Sequence, residues 1–442
     1  MAEVSTENSK NSPAPVLAPV LAPVQLPPWP PPLPPPLRRG QKRRKAVAAE
    51  DLVGKPQVAL LEQHLQNYRS AYTHPNRKLH YDDVVVGLLY AFYNPLARST
   101  RTLEALSQLD LVRGGLSVDR ICRSTFSDAL KLFDPHLLRP LLEELRKRVP
   151  DLGRRDPDLA TVVRKIIAAD GSFLSIAADA AHAIVHTKTN GKKQGQVRLN
   201  LQLEVLGGVP EATLSVSGID EGSETAAFIK LLQSGVIYLI DRNFVDFKFM
   251  TAVKDKQSDF VLRAQKSKPN FDAQRELALS DKDREAGVLS DRIGRLPGSA
   301  GAPPPDMLVR ELNFKDPRTG LEIRVLTSLL EVPAHVVGTL YRYRWQIELF
   351  FRWLKVWANF DHLISHSPNG LTTQFYVAVI GVLLMHINSG KRISKYAYLL
   401  LQQVAMGLAT AEQALEILTE IERRKDLERA RLERKKAEKK NA

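Results

Sequence analysis

The sequence predicts a mixed α and β protein: a helical first part, then a sheet flanked by helices and interrupted by a β-rich insertion. Three observations predict it. From Asp51 to Pro150 apolar residues recur three and four positions apart, as in HYDDVVVGLLYAFYN and TRTLEALSQLDLV, the period of a helix with one buried face. After Asp156 the pattern turns to strand-like runs, VVRKIIAADGSFLSI, QVRLNLQLEVLGG and EATLSVSG, rich in β-branched residues and punctuated by glycine. A long helical stretch then returns between Ala334 and Ala358.

Residues 1–46 stand apart. Twelve of the 28 prolines lie between Pro13 and Pro36, and a segment lacking so many backbone N–H groups builds neither a helix interior nor a sheet ladder. It reads as a disordered tail of polyproline II character, or as a ligand for an aromatic-lined groove. The cluster Arg38, Arg39, Lys42, Arg43, Arg44 and Lys45 follows, suited to phosphate contact or to a plain solvated linker. Residues 47–155 form the predicted helical domain. Within it SVDRICRSTFSDALKLF reads as two short helices broken near Arg123–Ser124, with Ser124 or Thr125 as N-cap of the second. Such a hairpin resembles a helix-turn-helix reader, which would set Arg120, Arg123, Ser124, Thr125 and Ser127 at a DNA-facing end. Any capped helical hairpin shows the same pattern.

Residues 156–395 form the predicted sheet domain. A helix over Thr225–Gln233, a short apolar strand in VIYLIDRNF, a helix in FVDFKFMTAV and a strand in DFVLRAQ succeed one another. The β-rich insertion spans about 260–332. Its polar part, 266–305, includes the loop LPGSAGAPPP, and it ends in the strands MLVRELNF and EIRVLTSLL. Residues 396–442 read as a helical, charged tail that loses its apolar face beyond Ile421.

Lys and Arg outnumber Asp and Glu by 63 to 49, a net charge of +14. This excess suits a polyanionic partner, since each neutralised phosphate releases condensed counterions, although a basic protein with no nucleic-acid role has the same balance. Cys122 is the one cysteine, which excludes an intrachain disulfide and a cysteine-based zinc site. The longest apolar run, Phe375 to Met385, falls short of the ~18–20 residues that span a bilayer and reads as a buried helix. No membrane partner is expected. The N-terminus lacks a secretory pattern, because prolines interrupt its apolar residues and the basic residues follow them.

Asp170 closes the apolar run KIIAAD, and Asp241 closes VIYLID. A carboxylate at the end of a buried strand is costly unless paired. Two such strands side by side would bring together carboxylates that only a cation holds ionised, and oxygen ligands of this kind suit Mg²⁺ or Mn²⁺. The alternative is that each aspartate caps the segment after it. On an unbroken helix advancing about 100° per residue, Tyr341, Arg344, Glu348 and Lys355 share one stripe roughly 60° wide, with Ile347, Leu349, Phe350, Phe351, Trp353, Leu354 and Trp357 around the rest. The alternative there is an exposed strip in which Glu348 pairs with Arg344 or Arg352. His362 and His366 lack metal-ligand spacing; Lys248 and Lys254 are either backbone contacts to a nucleic acid or ordinary surface lysines.

The spacing Tyr341-x₂-Arg344-x₃-Glu348-x₆-Lys355 matches the Y-R-E-K signature in full, and the chain thereby resembles bacterial transposases of the insertion-sequence four family. DGSF around Asp170 and DRNF around Asp241 are similar to the family's other two acidic segments, with Asn243 standing where small residues are usual. The resemblance extends over about 80–400 and leaves out the proline-rich tail. It implies a ribonuclease H-like mixed sheet flanked by helices, with a β-rich insertion, preceded by an all-α N-terminal DNA-binding domain. It also implies that Asp170, Asp241 and Glu348 hold two Mg²⁺ ions, with Mn²⁺ as a substitute, one activating the attacking oxygen and the other steadying the leaving oxygen. Arg344, Lys355 and Tyr341 would contact double-stranded DNA, both the element's terminal inverted repeats and the target. A homodimer in the DNA complex follows from the pairing of two ends, and a bacterial, cytoplasmic, nucleoid-associated setting from the family. The alternatives are a domesticated DNA-binding protein on the same fold and a ribonuclease H-like nuclease without strand transfer.

Overall fold

The strand-forming runs all join one sheet. The computed structural model describes residues 55–405 except 95, 114–115, 150–156, 160–161, 163, 177–179, 181–182, 207–208, 218–223, 243–245, 299–303, 317–319, 358–359, 361 and 390–394, together with scattered positions from 408 to 434. The expected tail over 1–46, the basic cluster and Asn243 lie outside the described residues. The strands are β1 (Ile166–Ile176), β2 (Ile184–Thr187), β3 (Lys193–Glu204), β4 (Val209–Ser217), β5 (Ile237–Ile240), β6 (Asp259–Ala264), β7 (Asp272–Glu276), β8 (Val288–Arg295), β9 (Val309–Lys315) and β10 (Glu322–Thr327). Their order is β2-β3-β1-β5-β6-β10-β9-β8-β7, with β4 also paired to β3. β1, β5 and β6 run parallel; the remaining ladders are antiparallel.

Helices α1 (Lys55–Ala71), α2 (Tyr81–Tyr93), α3 (Thr100–Leu106), α4 (Asp110–Arg113), α5 (Arg123–Leu132) and α6 (Arg139–Arg148) precede the sheet. Helices α7 (Glu224–Lys230) and α8 (Phe247–Asp255) connect the parallel strands, and α9 (Asp281–Glu285) lies in the insertion. After β10 come α10 (Ala334–Tyr343), α11 (Trp345–Arg352), a π-helical turn over Trp353–Trp357, α12 (Pro368–Ser389) and α13 (Lys395–Ala405).

Alternation along the strands sorts the side chains into two cores, as a sheet covered on both faces requires. Ile167, Ala169, Tyr238, Ile240, Phe260 and Leu262 turn to one core, with Phe228 of α7 and Phe249, Met250 and Val253 of α8. Ile166, Ala168, Leu239, Val261 and Val325 turn to a larger one, built with residues of the N-terminal helices and of α10–α13.

Helix α12, which carries the long apolar run, packs against α2, α5 and α6. The Tyr93 hydroxyl donates to the Gly381 carbonyl at 2.9 Å, and Arg139 Nε donates to the Tyr376 hydroxyl at 3.2 Å. Residues 368–387 are long and apolar enough to cross a membrane, but 89% of that window is buried inside the protein, as a core helix would be. One expectation is corrected here, over 266–305, where the sequence shows only a polar stretch and a loop. Strands β7 and β8 and helix α9 lie there. β7 escapes detection because all five of its side chains are exposed at the sheet edge, so no apolar alternation marks it.

The insertion is held to α10 by polar contacts. Asp283 of α9 accepts from Ser280 Oγ at 2.6 Å and from both the backbone N–H and the Nδ1 of His335, each at 2.8 Å. Burial pushes the Asp283 carboxyl up, but these hydrogen bonds outweigh it and bring it from 3.8 down to about 2. A carboxyl depressed in the folded state stabilises above its unfolded value and loses that contribution as pH falls through the folded one. Asp283→Asn is therefore expected to lower Tm at neutral pH, with the gap to wild type narrowing as pH drops from about 4 towards 2; thermal melts across that range measure it.

Candidate active site

The two aspartates lie on neighbouring parallel strands. β1 and β5 are in register from Ile166↔Ile237 to Ala169↔Ile240, and the next residue on each is Asp170 and Asp241. Alternation turns both towards the side of Ala168 and Leu239, the face over which α10 packs on β5 and β6 and α11 on β1 and β3. β5 ends before Asp241 as expected. β1 does not end at Asp170: it continues to Ile176, paired with β3 from Asp170↔Leu201 to Ile176↔Gly195. Asp170 is half-buried and its Oδ1 accepts from the Gly171 N–H at 2.9 Å. Asp241 is also half-buried, and its Oδ1 is buried with no hydrogen-bond partner among the described residues.

The single unbroken helix expected over 334–358 is instead wound unevenly. Around Arg344 the N–H groups of Arg344 and Ile347 bond to carbonyls three residues back, at 3.0 and 3.2 Å, a local tightening. Past Arg352 the winding loosens into a π-helical turn that carries Lys355. Its ammonium donates to the Phe173 carbonyl of β1 at 2.9 Å. Leu349 also departs from the expected apolar ring. It is 39% exposed and Trp345, one turn earlier, 45%, because α11 rests on the sheet by its opposite side.

Arg344 is buried and its Nη2 donates to Glu348 Oε1, the ion pair that stood as the alternative for this stripe. Its guanidinium lies over the Tyr341 ring, 5.8 Å from the centroid, within cation–π range. Tyr341 in turn meets Phe314 of β9 edge-on, with ring centroids 6.2 Å apart. Burial pushes the Tyr341 phenol up, opposed by the charge of Arg344 and reinforced by that of Asp241. For Arg344 burial acts to lower the value, but Tyr341, Glu348 and Asp241 overcome it and raise the guanidinium above its ordinary range. Arg344 is thus a permanent cation within electrostatic reach of Asp241.

The Tyr341 hydroxyl and Arg344 Nε, like Asp241 Oδ1, are buried without a hydrogen-bond partner. Buried polar atoms are normally satisfied, so this cluster suits a polar occupant. Among the described residues no three His, Cys, Asp or Glu side chains converge on one point. Asp170 and Asp241 adjoin, while Glu348 is turned to Arg344. The donor set is all carboxylate, which fits a hard divalent cation once Glu348 is released.

Sequence reasoning missed Arg263. β5 and β6 are in register to Ile240↔Leu262, which sets Arg263 beside Asp241. Its one signal was a charge interrupting the apolar alternation of DFVLRAQ.

Of the expected DNA-reading residues, Arg120, Arg123, Ser124 and Thr125 are exposed and Ser127 is half-buried. The hairpin itself is corrected. α5 starts at Arg123 with Cys122 as its N-cap residue, so Ser124 and Thr125 lie inside the helix. Residues 116–122 are not helical. Ser117 gives its N–H and Oγ to Asp83 at 2.8 and 2.6 Å, and the Ile121 N–H bonds Ser107 Oγ at 2.9 Å. Side chains thereby take the donors a helix would use. Lys254 reaches the Asp306 carbonyl of the insertion.

Among known families, the transposase DDE domain matches residues 162–384. The chain belongs to that family. The DDE domain so matched opens just before β1 and closes within α12, taking in both aspartates, the insertion and the helix of Glu348. A putative transposase y4zB of Sinorhizobium fredii is 30% identical over 158 residues, 35% of this chain and 43% of that protein. A probable transposase for insertion sequence element IS5377 of Geobacillus stearothermophilus is 34% identical over 76 residues, 17% of this chain and 20% of that protein. The chain thus spans less than half the length of these curated relatives. A piggyBac transposase, solved as a synaptic complex with hairpin DNA, superposes with a TM-score of 0.40 and 10% identity over 87% of this chain and 84% of that one, a likeness too slight to show a common fold.

Proposed function

We propose that the chain is the transposase of a bacterial insertion sequence, which binds terminal inverted repeats, cuts DNA at the element's ends and joins the strands to target DNA. The observation that carries this is the placement of Asp170 and Asp241 side by side beneath the helix bearing Tyr341, Arg344 and Glu348, inside a DDE domain. The strand order β4-β3-β1-β5-β6, antiparallel then parallel, with α7 and α8 as crossovers, supports a ribonuclease H-like core extended by β7–β10. The Y-R-E-K spacing supports the insertion-sequence four family.

Asp170 and Asp241 would hold Mg²⁺, or Mn²⁺ in its place, with Glu348 completing the ligand set; bound there, the metal supplies activation of the attacking oxygen and stabilisation of the leaving oxygen at phosphorus. Arg344 would exchange Glu348 for a DNA phosphate, offering a two-pronged donor that a lysine lacks. Its charge is permanent, so the exchange costs no proton. The Tyr341 hydroxyl, already desolvated and without a partner, adds a donor beside it. Lys355 contributes a point charge at the rim of β1. The helical segment 47–155 would read the DNA ends, the 156–395 region would perform the chemistry, and two copies would pair two ends.

The exposed arginines at α5 are expected to contact phosphates. Arg120→Ala and Arg123→Ala should each reduce the slope of log affinity against log salt by about 1 for duplex DNA, read by fluorescence anisotropy. An unchanged slope in both would assign them to ordinary surface.

The function is tested by incubating the full chain with Mg²⁺, a plasmid target and a duplex carrying the inverted repeats that flank its coding segment. Cleavage followed by joined product is expected. Cleavage without joining would favour a hydrolytic nuclease, and binding without cleavage a domesticated DNA-binding protein.

A further inference from the structure

We propose that the hairpin joining β2 to β3 is an arm for target DNA, a two-stranded ribbon that enters the major groove of the duplex receiving the element and holds its phosphates with Lys188, Lys192 and Lys193. The inference rests on the transposase reading above and concerns a surface outside the carboxylate cluster.

Three features carry it. The first is reach. β1 and β3 stay paired for six residues past the level of Asp170, to Ile176↔Gly195. Beyond that pair β3 continues with β2 alone, through His186↔Gln194 and Thr187↔Lys193. A ribbon of two strands therefore projects from the end of the sheet that carries the aspartates. Lys193 lies eight residues along β3 from Leu201, the partner of Asp170, a span of up to about 26 Å. That is the length of about eight base pairs, so a duplex lying over the carboxylates and along the ribbon reaches the tip within one helical turn.

The second is charge. No acidic residue lies between Asp179 and Glu204. Lys188, Lys192 and Lys193 are exposed, and none forms an ion pair among the described residues. The Lys188 N–H donates to the Lys192 carbonyl at 2.9 Å, which sets these two lysines directly opposite each other. Like charges so placed destabilise a hairpin. The turn is nevertheless closely held. The Gly191 N–H donates to the Lys188 carbonyl at 2.8 Å, the Lys192 N–H to Asn190 Oδ1 at 3.2 Å, and Gly191 takes the left-handed backbone at φ 75°. The fold fixes cations in a repulsive arrangement that a polyanion relieves.

The third is arrangement. Lys193 alternates in step with Val197, Leu199 and Leu201, which belong to the core beneath α10 and α11, so it turns to the catalytic side. Lys188 and Lys192, one residue further along each strand, turn to the other side. Cations on both faces of a ribbon suit the major groove, which admits two antiparallel strands and has a phosphate backbone on either wall. The side chains favour target DNA over the element's end. A lysine ammonium neutralises a phosphate whatever the sequence, and Asn190 at the tip spends its carbonyl oxygen on the Lys192 N–H. An element's end has to be told from other DNA, whereas a target only has to be held.

The test compares the full chain as wild type with a triple variant carrying Lys188→Ala, Lys192→Ala and Lys193→Ala. For a duplex of unrelated sequence, the slope of log affinity against log salt should be smaller in the variant by about 2–3. Joining is then followed with Mg²⁺, a pre-cut inverted-repeat duplex bearing a free 3′-hydroxyl, and limiting plasmid. The variant should join roughly 10-fold less, and excess plasmid should restore it. Its cleavage of the uncut inverted-repeat duplex should be unchanged. The same three positions as Lys→Arg should keep the wild-type slope and joining. An unchanged slope, or undiminished joining at limiting plasmid, would overturn the proposal. Equal losses of cleavage and joining would assign the hairpin to the element's end and overturn it too. If the alanine variant melts early, Lys→Gln at the three positions gives the same comparison. Should wild type neither cleave nor join, the transposase reading falls and the target assignment with it; the slope then reports separately whether the hairpin holds duplex DNA.

Discussion

Asp241→Ala and Glu348→Ala are each expected to lower metal-dependent cleavage of the inverted-repeat duplex by about 10³-fold or more while leaving duplex binding nearly intact. Metal catalysis of phosphoryl transfer supplies several kcal/mol of transition-state stabilisation, and each 1.36 kcal/mol is about tenfold in rate, so the loss of a ligand carboxylate is large. The two variants should differ in the absence of metal. Glu348 pairs with Arg344, so removing it strands a buried guanidinium and destabilises the helix junction. Asp241 Oδ1 has no hydrogen-bond partner to lose, and relief of the crowding with Asp170 should leave Asp241→Ala as stable as wild type or slightly more so. Single-turnover cleavage and thermal melts with and without Mg²⁺ measure both effects. Near-wild-type cleavage by either variant would remove that carboxylate from the site.

The largest loss of stability is expected at Arg310, away from the chemistry. Arg310 is buried in β9 and grips Asp291 of β8 with Nε and Nη2 at 2.8 and 2.6 Å. Its Nη1 donates to the carbonyls of Leu329 and Leu330 at 3.2 and 3.3 Å and to that of Val332. Those carbonyls belong to the loop that feeds α10, so one guanidinium ties the insertion to the start of the helix pair carrying Tyr341 and Glu348. Arg310→Ala leaves Asp291 charged, buried and unpaired, which costs about 3–5 kcal/mol, and orphans the loop carbonyls as well. Urea denaturation should show the midpoint falling accordingly. The double variant Arg310→Met with Asp291→Leu should recover much of the loss, because an apolar pair of similar volume avoids the desolvation penalty. It should not restore the loop contacts, so cleavage is expected to stay impaired even where stability returns.

What the sequence disclosed follows from where its signals were local. Asp170 and Asp241 stood out because each interrupts a short apolar run, and strands of that kind in a parallel arrangement pair in a register that sets their next residues together. Arg263 carries the same kind of interruption in DFVLRAQ, but an arginine after an apolar run also marks any strand that is leaving the core. Only the shared row with Asp241 distinguishes it. The tightened turn at Arg344 and the π-helical turn after Arg352 left no trace, since every residue from Tyr341 to Trp357 tolerates a regular helix; the winding follows from packing on β1 and β3. The stretch before α5 misled for a related reason. Its donors are taken by Asp83 and Ser107, the first of them far away in the chain. Helix α12 was legible as a buried helix from its composition, but not its place among α2, α5 and α6, which depends on contacts across most of the chain.

The proposed function requires Asp170 and Asp241 to share a divalent cation with Glu348. Anomalous diffraction from crystals of the full chain grown with Mn²⁺ and a DNA end tests it most directly. A peak is expected at about 2.1 Å from carboxylate oxygens of both aspartates, with Glu348 turned away from Arg344 and towards the ion. Bound DNA with no peak between Asp170 and Asp241, and Glu348 still paired to Arg344, would contradict it.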